Sequence, residues 1–244
     1  QVVMMTSEGQ VKRWSPKENM VNLLYRLPME IQPFGLRFKK PDYVDSLDYS
    51  NSRDFIILKQ KNDGKDSKTF VVFDLKAMKE IAILRNLGIK QVVAINDTYL
   101  IYVNTSNQIH VRDWRKANSM AVVPLGTDEK GNVDRVFNCH FDIDKIIILT
   151  SGKVYYYHPG TRSTDHFELK HRANSPFLID RGRMFYGSTD RYLIGFSVRK
   201  KKLRWKYQLP DNLSSRPRKI GSYVTVIPED NNIYFFNRRG SLYW

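Results

Sequence analysis

KIIILTSGKVYYYHPGTRSTDHFELK, residues 145–170, is the stretch on which the fold of this chain turns. A β-branched run, KIIILT, gives way to the turn Ser151-Gly152-Lys153, then to VYYYHPG, a second turn TRSTD and a third run, HFELK. Gly, Asn and Asp tolerate the positive φ of tight hairpins, so polar turns between β-rich runs predict consecutive antiparallel strands. Tyr155 and Tyr157 fall on one side of their strand and Tyr156 on the other, an alternation that reads as packing on both faces.

The same order recurs in YLIYVN (99–104), the turn TSNQ, IHVRDW, the turn RKANS and MAVVPL. Six segments share an apolar or aromatic run with a polar end: GQVKRWS, TFVVFDL, NQIHVRD, GKVYYYH, RYLIGFS and NIYFFNR. Aligned on Trp14-Ser15, Phe73-Asp74, Arg112-Asp113, Tyr157-His158, Phe196-Ser197 and Phe236-Asn237, they lie 59, 39, 45, 39 and 40 residues apart. Four of these intervals match the roughly 40–45 residues of a four-stranded propeller blade. The first is longer by about 15–20 residues than that period, an excess that the segments IQPFGLRFKKPDYVDS and KNDGKDSK are expected to absorb as inserts.

No long helical periodicity competes; the longest candidate, MEIQPFGLRF, contains Pro33 and Gly35. The expected fold is all-β: a single propeller domain over residues 1–244, of about six four-stranded antiparallel blades, or seven if residues beyond the chain add one. The blades are expected at about 1–30, 44–86, 90–126, 133–170, 175–210 and 215–244. Gln1 enters at a second strand and Trp244 lies in a fourth, so the chain is read as trimmed from a longer protein.

Of 244 residues, 41% are hydrophobic and 13% aromatic, which excludes wholesale disorder. No run approaches the roughly 18 apolar residues of a membrane span, and no signal-peptide pattern opens the chain. The single cysteine, Cys139, excludes an internal disulfide framework and a multi-cysteine zinc site, and leans toward a reducing compartment, cytoplasmic or nuclear.

FVVFDLKAMKEIAIL and IHVRDWRKANSMAVV resemble the third-to-fourth strand hairpin of WD repeats, with Phe73-Asp74 and Arg112-Asp113 where that family places Trp-Asp. GFSVRKKKLRWKYQLP is similar to the tryptophan-docking repeat of quinoprotein-type propellers: Gly195 and Trp205 keep that repeat's ten-residue offset, and RRGSLYW keeps its Gly-to-Trp spacing from Gly240 to Trp244. The resemblance implies a propeller in which Trp205 and Trp244 pack blade against blade. It also raises a quinone-dependent enzyme as an alternative. Such an enzyme would hold its quinone against a vicinal disulfide, which one cysteine cannot form, and no carboxylate cluster is placed for calcium.

His140, His158, His166 and His171 scatter over different strands and a linker and are not read as metal ligands; a turn hydrogen bond is the expected role of His158. No nucleophile elbow, phosphate loop or HExxH helix is present. The reading is therefore non-catalytic, with no cofactor, metal or small-molecule substrate.

What remains is charge: 40 Lys and Arg against 25 Asp and Glu, a net of +15. Third-to-fourth strand turns share one end of the blades. They carry Lys17, Lys76, Lys79, Arg115, Lys116, Arg162, Arg199, Lys200, Lys201, Lys202, Arg238 and Arg239, with Glu18 as their one acid. Second-to-third turns are balanced. Residues 171–244 hold 15 basic and 5 acidic side chains, densest at Arg199–Lys202 with Arg204, Arg216 and Arg218. A basic face of this kind meets an acidic protein partner in a larger assembly or, alternatively, nucleic acid, RNA in particular.

Overall fold

The computed structural model describes residues 2–5, 10–15, 20–26, 31–33, 55–60, 70–74, 79–116 and 119–243. Every regular element among them is a β-strand, and each strand pairs antiparallel with its neighbour in sequence. The chain divides into two compact units, Gln1–Ser119 and Met120–Trp244. Among the described residues no helix is long and apolar enough to cross a membrane.

Unit 1 opens with a three-stranded sheet of β1 (Val2–Met5), β2 (Gln10–Ser15) and β3 (Met20–Arg26). A four-stranded sheet follows: β4 (Ile31–Pro33), β5 (Phe55–Gln60), β6 (Phe70–Asp74) and β7 (Lys79–Leu84). The next comprises β8 (Ile89–Ile95), β9 (Tyr99–Asn104), β10 (Gln108–Asp113) and β11 (Ser119–Pro124), the unit boundary falling at the first residue of β11.

Unit 2 holds β12 (Val136–Phe141), β13 (Ile146–Thr150), β14 (Lys153–His158) and β15 (Ser163–Glu168) in one sheet. Its second sheet is β16 (Leu178–Asp180), β17 (Arg183–Gly187), β18 (Tyr192–Ser197) and β19 (Lys202–Gln208). β20 (Arg218–Ile220), β21 (Tyr223–Val226) and β22 (Tyr234–Phe236) form the last, where a bridge from Phe236 to Leu242 begins a fourth strand.

One feature differs from the sequence expectation. The second sheet begins at Ile31–Pro33, inside the segment read as an insert and ahead of the expected start at residue 44, because Ile31, Gln32 and Pro33 pair with Gln60, Lys59 and Leu58. Pro33 sits on an outer strand, where its missing N–H costs no ladder bond. The charged segment KNDGKDSK and Trp244 lie outside the described residues.

Burial is two-sided, in keeping with the expected packing of Tyr155, Tyr156 and Tyr157 on both faces of their strand. β13 is buried along its whole length and β14 along its central four residues, whereas the outer strands β15 and β19 are mostly exposed. A strand covered on both faces reads as a continuous apolar run, which is why IIILT and VYYY lack polar alternation. Two cores result in unit 2. Ile147, Leu149 and Tyr156 of the first sheet meet Met184, Ile194 and Phe196 of the second. Phe185 and Leu193 of the second meet Val224, Val226 and Phe236 of the third. Unit 1 repeats the pattern with Phe70, Val72 and Leu84 against Leu100, Tyr102 and Trp114.

In three of the six repeat segments the polar residue at the end caps the following turn. Asp113 Oδ1 accepts the Arg115 N–H at 3.1 Å, and Ser197 Oγ accepts the Lys200 N–H at 3.3 Å. Asn237 Oδ1 accepts the N–H groups of Arg239 and Ser241 at 2.8 and 3.1 Å. Local side-chain to backbone bonds of this type end a strand and start a turn, which explains why the slot recurs.

Trp205 joins two sheets of unit 2. Its ring lies where a Cβ on either Gly195, its cross-strand partner, or Gly240, in the turn after β22, would overlap it. Its Nε1 donates to the Arg238 carbonyl at 2.9 Å. Gly240 also has a φ of +91°, which disfavours a side chain on its own account. Gly195→Ala is expected to cost about 1–3 kcal/mol through overpacking, and Gly240→Ala at least as much, as measured by urea unfolding.

Tight turns here use cations where Gly or Asn is usual. Of the seven non-glycine residues with positive φ among the described residues, three are Asn and four are Arg162, Arg181, Arg191 and Lys201. Left-handed backbone costs a β-carbon-bearing residue roughly 1–2 kcal/mol, less for Asn. Arg162 is exposed with a φ of +54°. Arg162→Gly is therefore expected to raise stability by about 1 kcal/mol, read as a shift of the denaturation midpoint at unchanged slope.

Candidate functional site

The cross-strand row Asp180, Arg183, Ser197 and Lys202 closes one end of the second unit 2 sheet. In a meander of consecutive antiparallel strands, the first-to-second turn shares its end with the third-to-fourth turn. The expected basic end must therefore include both. In the β12–β15 sheet this adds Asp142, Asp144 and Lys145 beside Arg162, and the charge there is balanced. In the β16–β19 sheet it adds Arg181 to Arg199, Lys200 and Lys201, and the last sheet adds Arg238 and Arg239. The cationic surplus of unit 2 is thus carried at this end by its last two sheets.

These cations are not equivalent. Arg199, Lys200, Lys202 and Arg204 are exposed. Arg204 is the extra residue of a β-bulge, since Gly195 pairs with Trp205 and Phe196 with Leu203. β7 carries a bulge at the matching place, where Val72 pairs with Ala82 and Phe73 with Glu80, so the two repeats share this irregularity as well as their polar slot.

Lys201 is engaged: its Nζ donates to the Asp165 carboxylate on β15 and lies 4.9 Å from the Tyr156 ring centroid. His158 Nε2 approaches the same carboxylate at 4.0 Å. Lys206 sits 4.3 Å over the Tyr192 ring.

Arg238 is engaged too, around an acid that sequence reasoning did not single out. Asp180 is 8% exposed. Its Oδ1 accepts from Lys219 Nζ at 2.8 Å and its Oδ2 is 2.5 Å from Arg238 Nε, while Arg183 Nη1 donates to the Arg238 carbonyl at 2.6 Å. Burial works to raise the Asp180 carboxyl, but the Lys219 hydrogen bond and the Arg238 charge outweigh it and hold the group below its ordinary range. No local pattern marks Asp180; its partners arrive from the next repeat.

The other basic positions are dispersed. Lys17 and Lys76 lie outside the described residues, and Lys79 is placed by its backbone pairing with Asp74. In unit 1, the Arg115 guanidinium is 5.3 Å over the Trp114 ring and Lys116 pairs with Asp113 at 3.8 Å. Arg218 pairs with Thr225 on β20, and Arg216 precedes that strand at the end away from Arg238 and Arg239.

The histidines are separate: His140 is on β12, His166 beside the Tyr155 ring at 5.8 Å, and His171 Nδ1 is 2.7 Å from Asp190 Oδ2. Among the described residues no three of His, Cys, Asp or Glu converge as metal ligands.

No protein-family model and no curated protein matches the chain. Solved structures do. BamB from Moraxella catarrhalis is 14% identical with a TM-score of 0.59, over 99% of this chain and 71% of that one. The computationally designed Ika8 protein is 13% identical with a TM-score of 0.63, over 98% and 68%. KlHsv2 with loop 6CD replaced by a Gly-Ser linker is 13% identical with a TM-score of 0.54, over 78% and 65%. At this identity the likeness shows the fold alone, and with the four-stranded antiparallel sheets it establishes an all-β propeller architecture.

The Asp180 cluster has a pH signature. A carboxyl held low in the folded state stabilises it fully above the unfolded value of about 3.9, and that stabilisation fades as pH falls through and below this value. Asp180→Asn is expected to cost roughly 2 kcal/mol at pH 7, between the values for an exposed and for a fully buried pair. The gap to wild type should narrow steadily below about pH 4 in urea titrations at stepped pH.

Proposed function

We propose that this chain is a non-catalytic propeller scaffold, and that the exposed cations on the last two sheets of unit 2 dock an acidic protein partner within a larger assembly. The observation that carries the reading is the exposed group Arg199, Lys200, Lys202 and Arg204 sharing an end with Arg181, which holds a left-handed turn position where Gly or Asn would be less strained. Strain of this kind at an exposed turn is a motive for looking to function, since stability alone would favour the other residues.

Around the β16–β19 cations, acidic protein is favoured over RNA by the state of the adjacent aromatics. Tyr156 is buried beneath Lys201, Tyr192 is covered by Lys206, and Trp205 is packed between glycines. Stacking of single-stranded bases needs open aromatic faces. The same Trp205 packing supports the likeness of the later repeats to tryptophan-docking propellers, and with Cys139 buried and single it supports a structural rather than a quinone-dependent role.

The test spares Lys201, which serves the fold through Asp165. The triple variant Arg199→Glu, Lys200→Glu and Lys202→Glu is expected to unfold like wild type. It should bind immobilised polyglutamate at least about tenfold more weakly, with a shallower dependence on salt. Equal binding by wild type and variant would discard the docking surface. A preference of wild type for oligouridylate over polyglutamate, abolished in the variant, would replace the acidic protein by nucleic acid.

A further inference from the structure

Unit 1 contains a groove of about 690 Å³ along β7, lined on one side by Ile81–Arg85 and on the other by Arg112, Trp114 and Arg115. Among the described residues, the ionisable side chains that line it are Arg85, Arg112 and Arg115. Trp114 is 7% exposed and held in place by its Nε1 bond to the Asn96 carbonyl at 2.8 Å, whereas Ile83 is 53% exposed. The nearby acid, Asp113, is buried, caps its own turn and pairs with Lys116.

We propose that this groove binds an extended acidic segment of a partner protein, seating an apolar side chain against Ile81 and Ile83 between carboxylates that meet Arg85 and Arg115. Arg85 and Arg115 are exposed and offer their guanidinium groups to an anion, and guanidinium pairs with carboxylate through two parallel hydrogen bonds. The apolar wall selects against a bare phosphate chain, which has nothing to place on Ile83. A stacked base is disfavoured as well, because the Trp114 ring is buried and overlaid by Arg115. From Ile81 to Arg85 the wall is about 13 Å long at roughly 3.3 Å per residue, the length of four or five extended residues. The site is separate from the unit 2 surface, because all its lining residues belong to unit 1.

The probe is an end-blocked, fluorescein-labelled decapeptide of alternating Glu and Val, read by fluorescence anisotropy on the whole 244-residue chain. Saturable binding is expected in wild type and in the Arg199→Glu, Lys200→Glu, Lys202→Glu variant. It should weaken by about tenfold or more in Arg85→Glu with Arg115→Glu, and also in Ile83→Asp, which removes the apolar seat while leaving every arginine. Arg85→Gln with Arg115→Gln gives the same reading if the reversed charges impair folding. The proposal is overturned if wild type does not saturate, if the arginine variants bind as wild type does, or if Ile83→Asp binds unchanged. It is overturned in favour of nucleic acid if a twelve-residue oligothymidylate binds where the peptide does not and loses binding in the arginine variants.

Discussion

Sheet stacks on sheet within unit 2 because the middle strands are apolar on both faces, and the Trp205 ring fills the space that a Cβ on Gly195 or Gly240 would need. A flat ring between two residues without side chains brings β19 and the turn after β22 into contact, and the Nε1 bond to the Arg238 carbonyl fixes that turn. The same carbonyl accepts from Arg183, and the Arg238 guanidinium reaches back to Asp180. The Arg238 carbonyl thus ties Trp205 and Arg183 to the turn whose guanidinium reaches the buried Asp180. Well-packed interiors transmit such constraints because they have few alternative arrangements.

Electrostatics in this unit divides along that line. Lys201, Lys219 and Arg238 neutralise Asp165 and Asp180 across sheet boundaries, so they belong to the fold. Arg199, Lys200, Lys202 and Arg204 stand on the exposed outer strand and its turn, where water solvates them and a partner could reach them. Placing cations in left-handed turns adds conformational cost without adding contacts in the case of Arg162, an arrangement better understood through what the surface meets than through stability.

The repeat, the strand order and the hairpin turns were legible from residue types, because each is set locally. Phe73-Asp74 and Phe196-Ser197, aligned by pattern, share even their bulge on the neighbouring strand. Trp205 was legible from its offset to Gly195. β4 was not, since three residues that include a proline carry no strand signal without a partner, and Ile31–Pro33 gain one from β5. Asp180 and Asp165 were missed for a related reason: a carboxylate near the end of an ordinary strand is unremarkable until a neighbouring repeat brings a cation to it. Counting one set of turns also overstated the uniformity of the basic end, because the Asp142 and Asp144 turn shares it with Arg162.

Sequence by itself determined the class of fold, the repeat length and the surplus of positive charge, because period, turn chemistry and composition are properties of the chain alone. Tertiary structure decided which cations are free. Lys200 and Lys201 are adjacent in one turn, yet one is exposed and the other is held by Asp165 and Tyr156, residues distant in the chain. It also decided where an apolar wall meets three arginines, since β7 and the end of β10 come together only through the packing of their sheets.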